Sequence, residues 1–127
     1  MLRLLPFLLP VLVFTAPAAE FKGVLLDKDC SSKAEEIIST GSPDGPSIEG
    51  GMLAAEAHTR ECLRAPQCEK SGYGIYTNDL KFFPFDAAGN RKAVEALKLS
   101  KRETDIRVEV TGEVDNGVLK VATLKLL

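Results

Sequence analysis

Residues 105–126 read D-I-R-V-E-V-T-G-E-V-D-N-G-V-L-K-V-A-T-L-K-L, and this stretch decides the fold class. Ile106, Val108 and Val110 alternate with Arg107, Glu109 and Thr111, the period of a strand with one buried face. Asn116-Gly117 marks the return, and Val118 to Leu126 resumes the apolar content. A two-residue Asn116-Gly117 turn would set Val110 against Thr123 and Val108 against Lys125, which spoils the apolar face. A three-residue loop, Asp115-Asn116-Gly117 with a left-handed Gly117, pairs Val110 with Ala122, Val108 with Leu124 and Ile106 with Leu126. A one-residue slip turns every side chain to the other face, so the bulged loop is expected.

Working back from this hairpin, residues 88–99 form a predicted helix with Val94 and Leu97 inward and Lys92, Glu95 and Lys98 outward. Before it, residues 73–77 and 80–85 flank Asn78-Asp79, a second hairpin signal, and Pro84 belongs at an edge. Residues 21–26, F-K-G-V-L-L, supply the first strand, ended by Asp27-Lys28-Asp29. The order is strand, long insertion, strand, strand, helix, strand, strand. This predicts a mainly β domain with helices. Its most economical form is an OB-fold-like β-barrel of five strands, with the helix between strands 3 and 4, because closure removes exposed edges. An open, sandwich-like sheet is the fallback.

The insertion between strands 1 and 2 carries the chemistry. Ser32-Lys33-Ala34-Glu35 has the form of a capping box, which predicts a short helix to about Ile38 with Cys30 just outside its N-terminus. A dipole end there favours a thiolate. Residues 42–46, S-P-D-G-P, are loop by composition. From Met52 the helix propensity is high, and a helix running to Leu63 would place His58 and Cys62 at i and i+4 on one face. Pro66 would end it, with Cys68 in the turn beyond.

Three cysteines and one histidine therefore fall in one insertion. Three thiolates and an imidazole are a tetrahedral zinc set, and soft sulfur also suits copper, so Cys30, His58, Cys62 and Cys68 are the candidate metal ligands for Zn or Cu. No C-x-x-C pair is present. The competing reading is one stabilising disulfide, Cys30 with Cys68 or with Cys62 in preference to the local pair. Such a bridge contributes roughly 3–4 kcal/mol by loop entropy. An odd cysteine count leaves at least one sulfur free, liganded or paired between chains. A nucleophilic cysteine with His58 as base finds no orienting third group by motif. No phosphate-binding, dinucleotide-binding or hydrolase motif appears, so a binding module is favoured over an enzyme, with thiol-redox chemistry third.

Residues 1–18 have the make-up of a secretory signal: Arg3, an apolar run from Leu4 to Phe14, and Ala16-Pro17-Ala18 before the cleavage point. The run is too short to span a membrane. Residues 19–127 would then form a single domain in the periplasm or outside the cell, where disulfides persist. The 127-residue chain has 16 basic and 18 acidic residues, a formal charge of −2, and removing Arg3 makes it more negative. Nucleic acid and anionic membrane both reward clustered basic residues, so neither is the expected partner; an unidentified protein or small ligand is.

The run His58-Thr59-x-x-Cys62-x(5)-Cys68-x-x-Ser71-Gly72-Tyr73-Gly74 resembles the signature of an uncharacterised family of small secreted bacterial proteins. Later stretches, K-F-F-P-F-D-A-A-G-N and V-E-V-T-G-E-V-D-N-G-V-L-K-V, resemble the same family, so the likeness covers Val24 to Leu126. It implies export, an OB-like β-domain and a shared Cys/His insertion. Members are often methionine-rich between the two cysteines, a composition that favours copper. Leu63-Arg64-Ala65 stands there in this chain and departs from that pattern.

Overall fold

The computed structural model describes residue 10, residues 18–31 and residues 48–127. Five strands, β1 (Ala19–Asp27), β2 (Tyr73–Thr77), β3 (Phe82–Pro84), β4 (Arg107–Asp115) and β5 (Val118–Leu126), form one antiparallel sheet in the order β3-β2-β1-β4-β5. Besides the helical turn at residues 28–31, four helices accompany them among the described residues. Three, α1 (Ile48–Glu56), α2 (Arg60–Leu63) and α3 (Pro66–Ser71), lie in the insertion between β1 and β2. The fourth, α4 (Ala87–Leu99), links β3 to β4. Among the described residues no helix is long and apolar enough to cross a membrane.

β1 is central because its sequence has something to bury on both faces. Leu25 enters the main core with Ile75, Ala93, Leu97, Ile106, Val108, Val110 and Leu119. Val24 and Leu26, one residue out of phase, pack with Tyr76 and with Ala55 of α1 in a smaller cluster. Strand alternation alone sorts these side chains into two layers. Tyr73 and Phe85 are also buried in the main core, as packing residues.

α4 begins one residue before the predicted position. Asp86 is its N-cap and accepts from the Gly89 N–H at 2.9 Å. The same carboxylate accepts from Val121 N–H at 3.3 Å, and Asp86 N–H donates to the Leu119 carbonyl at 3.1 Å. An isolated parallel bridge joins Phe85 to Leu119. One aspartate thus starts the helix and ties the end of β3 to β5.

The β4–β5 register differs from the sequence expectation. The turn has two residues, with Asp115 opposite Val118 and positive φ at both Asn116 and Gly117. A bulge between Thr111 and Gly112 absorbs Ala122, after which Val110 faces Leu124 and Val108 faces Leu126. The apolar face is kept, as the pattern demanded, but the extra residue sits inside the strand and not in the loop. Holding Leu124 and Leu126 on the core side is worth about 2 kcal/mol or more. A mid-strand bulge satisfies both that burial and the type of turn Asn-Gly prefers.

The insertion differs more. The expected continuous helix from Met52 to Leu63 breaks at His58, so His58 and Cys62 do not share a helical face. Thr59 is extended (φ −87°, ψ 149°), bridges to Thr104 and caps α2 by accepting from the Cys62 N–H at 3.1 Å. Arg60 N–H donates to the Glu103 carbonyl at 2.7 Å, and Asp105 N–H donates to the Glu56 carbonyl at 2.8 Å. Residues 103–105 grip the chain here, and no local propensity signals that grip. Pro66 opens α3 at its first turn, where a missing N–H costs nothing, and Cys68 is buried on that helix and not in a turn. The predicted capping box from Ser32 lies outside the described residues, but residues 28–31 are already helical.

At the bulge, a Cβ on Gly112 would overlap the carbonyl oxygen of Lys120. Gly112→Ala should therefore cost about 1–3 kcal/mol in urea unfolding. A value near zero would mean that the two strands do not approach this closely.

Candidate metal centre

Asp27 is the last residue of β1 and continues the inward phase of Leu25, so its carboxylate is driven into the structure and is completely buried. It is also the residue before the helical turn at 28–31, and its Oδ2 accepts from the Cys30 N–H at 3.3 Å. That cap swings Cys30 back over the end of the strand. Opposite, the chain leaves α1 at Glu56, and the break at Thr59 leaves His58 outside any helix, its N–H donating to the Ala55 carbonyl at 3.2 Å. The imidazole points back to β1.

Cys30 Sγ lies 3.0 Å from His58 Nε2, and Asp27 Oδ1 lies 3.7 Å from the same nitrogen. The three ligand atoms all fall within 4.8 Å of one another. Asp27 Oδ1 is buried with no hydrogen-bond partner among the described residues. A buried carboxylate oxygen left unpaired costs free energy unless a cation or a protonated group satisfies it.

The convergence on one nitrogen separates two chemistries. A nucleophilic triad needs thiol and carboxylate on opposite ring nitrogens, so that one takes a proton while the other orients the ring. Here both address Nε2, which carries at most one proton. Sulfur, nitrogen and oxygen set around one point form instead a donor set for a divalent cation. Zinc accepts all three donor types, whereas Cu(I) favours sulfur over carboxylate.

Of the residues the sequence singled out, the fold brings Cys30 and His58 together. Cys68, on α3, sits against the Asp27 carboxylate; burial first, and then that negative charge, push its thiol above the usual range. Cys62 is exposed on α2 and stands outside the three-atom cluster. No two of the three cysteine sulfurs are bonded to each other. Asp27 is the member that sequence reasoning missed. It looked like a strand terminator, and the available signal was its phase: it alternates with Leu25, Gly23 and Phe21 on the core face.

Tyr73, paired with Asp27 across the β1–β2 ladder, closes the floor of this region. Its hydroxyl donates to the Leu63 carbonyl at 2.6 Å, and burial pushes its ionisation up to about 12 from an ordinary 10. The unfolded chain releases this proton first as pH rises. The stabilisation is therefore intact below pH 10 and is lost as pH climbs through about 12. Over that interval, urea unfolding of the native protein should lose ~2 kcal/mol more than that of Tyr73→Phe. Equal alkaline losses in the two proteins would show that Tyr73 is not the buried phenol described.

Compared with known proteins, the chain matches no family model, no curated protein and no solved structure.

Proposed function

We propose that this is an exported metal-binding module: an OB-like barrel that holds a zinc ion through Asp27, Cys30 and His58. The observation that carries the reading is the convergence of three unlike donors on one point, with Asp27 Oδ1 buried and otherwise unpaired. The strand order β3-β2-β1-β4-β5 and the parallel Phe85–Leu119 bridge support barrel closure of the OB kind, in which the third and fifth strands meet. Export rests on the signal-like residues 1–18, and residues 19–127 are the working domain in the periplasm or medium.

In this reading the cation is held by one ligand from the end of β1, one from the turn after it and one from the linker between α1 and α2. Zinc binding would lock these three segments together. The carboxylate in the donor set favours zinc over copper, in agreement with Leu63-Arg64-Ala65 standing where methionines would serve copper. Cys68 supports the carboxylate from behind, and Cys62 is not required.

A second reading is favoured by the helix cap from Asp27 to Cys30: the cluster serves only to pin the insertion, as part of a structural or protein-interaction domain. Zinc titration with a competing chromophoric chelator separates the two. Loss of a group that merely supports a ligand lowers affinity about 10- to 100-fold, so Asp27→Asn, Cys30→Ser and His58→Ala should each cost on the order of 100-fold. Cys62→Ser should leave the affinity unchanged. Binding should weaken as pH falls, because thiol and imidazole must release protons to bind. Zinc should also raise the unfolding midpoint of the native protein and not that of His58→Ala. If no zinc binds and His58→Ala unfolds more readily than the native protein, the structural reading stands and the metal one falls.

A further inference from the structure

A second feature, independent of the metal site, lies at the β5 edge of the sheet. β5 is bound along one side by β4, and its opposite side is satisfied only near its start. Leu119 and Val121 give their outward main-chain groups to Asp86, through the bonds of 3.1 and 3.3 Å described above. Beyond the bulge nothing comparable follows among the described residues. Leu127 N–H donates to the Arg107 carbonyl at 3.0 Å, which fixes the phase of the ladder: Thr123 and Lys125 bond to β4. The N–H and C=O groups of Leu124 and Leu126 consequently point away from the sheet, into a groove between β5 and α4.

That groove encloses about 450 Å³, with a floor of Ala88, Ala96, Leu99, Leu124 and Leu126. It continues past Leu99 and Leu126 to Leu127. Leu99 is 74% exposed and Leu127 is 53% exposed, two of the four large apolar side chains left to solvent among the described residues. Arg91 and Lys92 stand on its rim, exposed and without an ion-pair partner among the described residues, while Glu95 is engaged by Lys98 at 3.4 Å. Lys101 is exposed beyond Leu99. The rim is basic on a chain whose net charge is −2.

We propose that this edge takes an extended acidic peptide as an added strand, its main chain pairing with Leu124 and Leu126. Every second side chain would enter the apolar groove, and its carboxylates would meet Arg91 and Lys92. A free edge, an apolar floor at strand spacing and a rim of one sign are the three requirements of strand addition with charge selection. A second copy of the chain fits less well, because pairing two β5 edges would bring two basic rims together. The partner is an acidic, apolar-alternating segment of another protein.

The test is NMR titration of the isotope-labelled protein with a short synthetic peptide alternating Glu and Val, and with a Lys/Val peptide of equal length. The Glu/Val peptide should shift the amides of Leu124 and Leu126 and slow their hydrogen exchange, and the Lys/Val peptide should not. Reversing both rim charges, Arg91→Glu with Lys92→Glu, alters exposed side chains only and should weaken binding about 10-fold with the fold intact. Leu99→Ser should weaken it as well. The proposal is overturned if those amides do not respond, or if the Lys/Val peptide or the charge-reversed protein binds equally well. It is also overturned if sedimentation shows self-association through this face that Leu99→Ser abolishes, or if anionic lipid vesicles shift the same amides while the Glu/Val peptide does not.

Discussion

The structure depends on β1 being paired on both sides. Its hydrogen bonds go to β2 through Gly23 to Asp27 and to β4 through Ala19 to Val24. A strand flanked in this way has no free edge, and its side chains must alternate between two covered faces. Leu25 goes to the main core, and Val24 and Leu26 go to the layer under α1. The next residue in phase is Asp27. The alternation that buries Leu25 also buries a carboxylate, and the strand ends where that group needs a partner.

The candidate site follows from this constraint. Burying Asp27 is tolerable because Oδ2 caps the helical turn at 28–31 and the Cys68 thiol lies against the carboxylate. Oδ1 is left facing Cys30 and His58. The insertion is not an appendage hung on a finished sheet. Residues 103–105 hold it from one side through Thr59, Arg60 and Glu56, and Tyr73 holds it from the other through Leu63. Arg107 adds an ion pair to Glu56 at 2.7 Å. Arg60 also donates to the Ser100 carbonyl. Apart from the Tyr73–Leu63 bond, these ties run between segments some forty to fifty residues apart, and they fix where His58 can stand.

Asp86 plays a comparable role at the β5 edge. By capping α4 and occupying the outward groups of Leu119 and Val121, it sets the point at which β5 stops being covered. The basic groove beside Leu124 and Leu126 begins there. Two aspartates at strand ends thus organise the two surfaces of functional interest, one by facing a cluster of donors and the other by ending an edge.

Period and turn chemistry in the sequence determined the five strands, the helix before β4, the position of the insertion, the inward face of β4 and, on β5, the inward placing of Leu124 and Leu126. These are local properties: strand alternation and the Asn116-Gly117 pair act over a few residues. The sequence also singled out Cys30 and His58, because sulfur and imidazole are scarce enough to be noticed. The bulge that takes up Ala122 was decided by tertiary structure, since turn preference and core burial had to be met together. The break between α1 and α2 was decided in the same way, by main-chain bonds from residues 103–105 that outweigh the helix propensity of residues 52–63. Asp27 joined the site for a reason no local pattern states. A carboxylate becomes a buried donor only when the strand carrying it is covered on both faces.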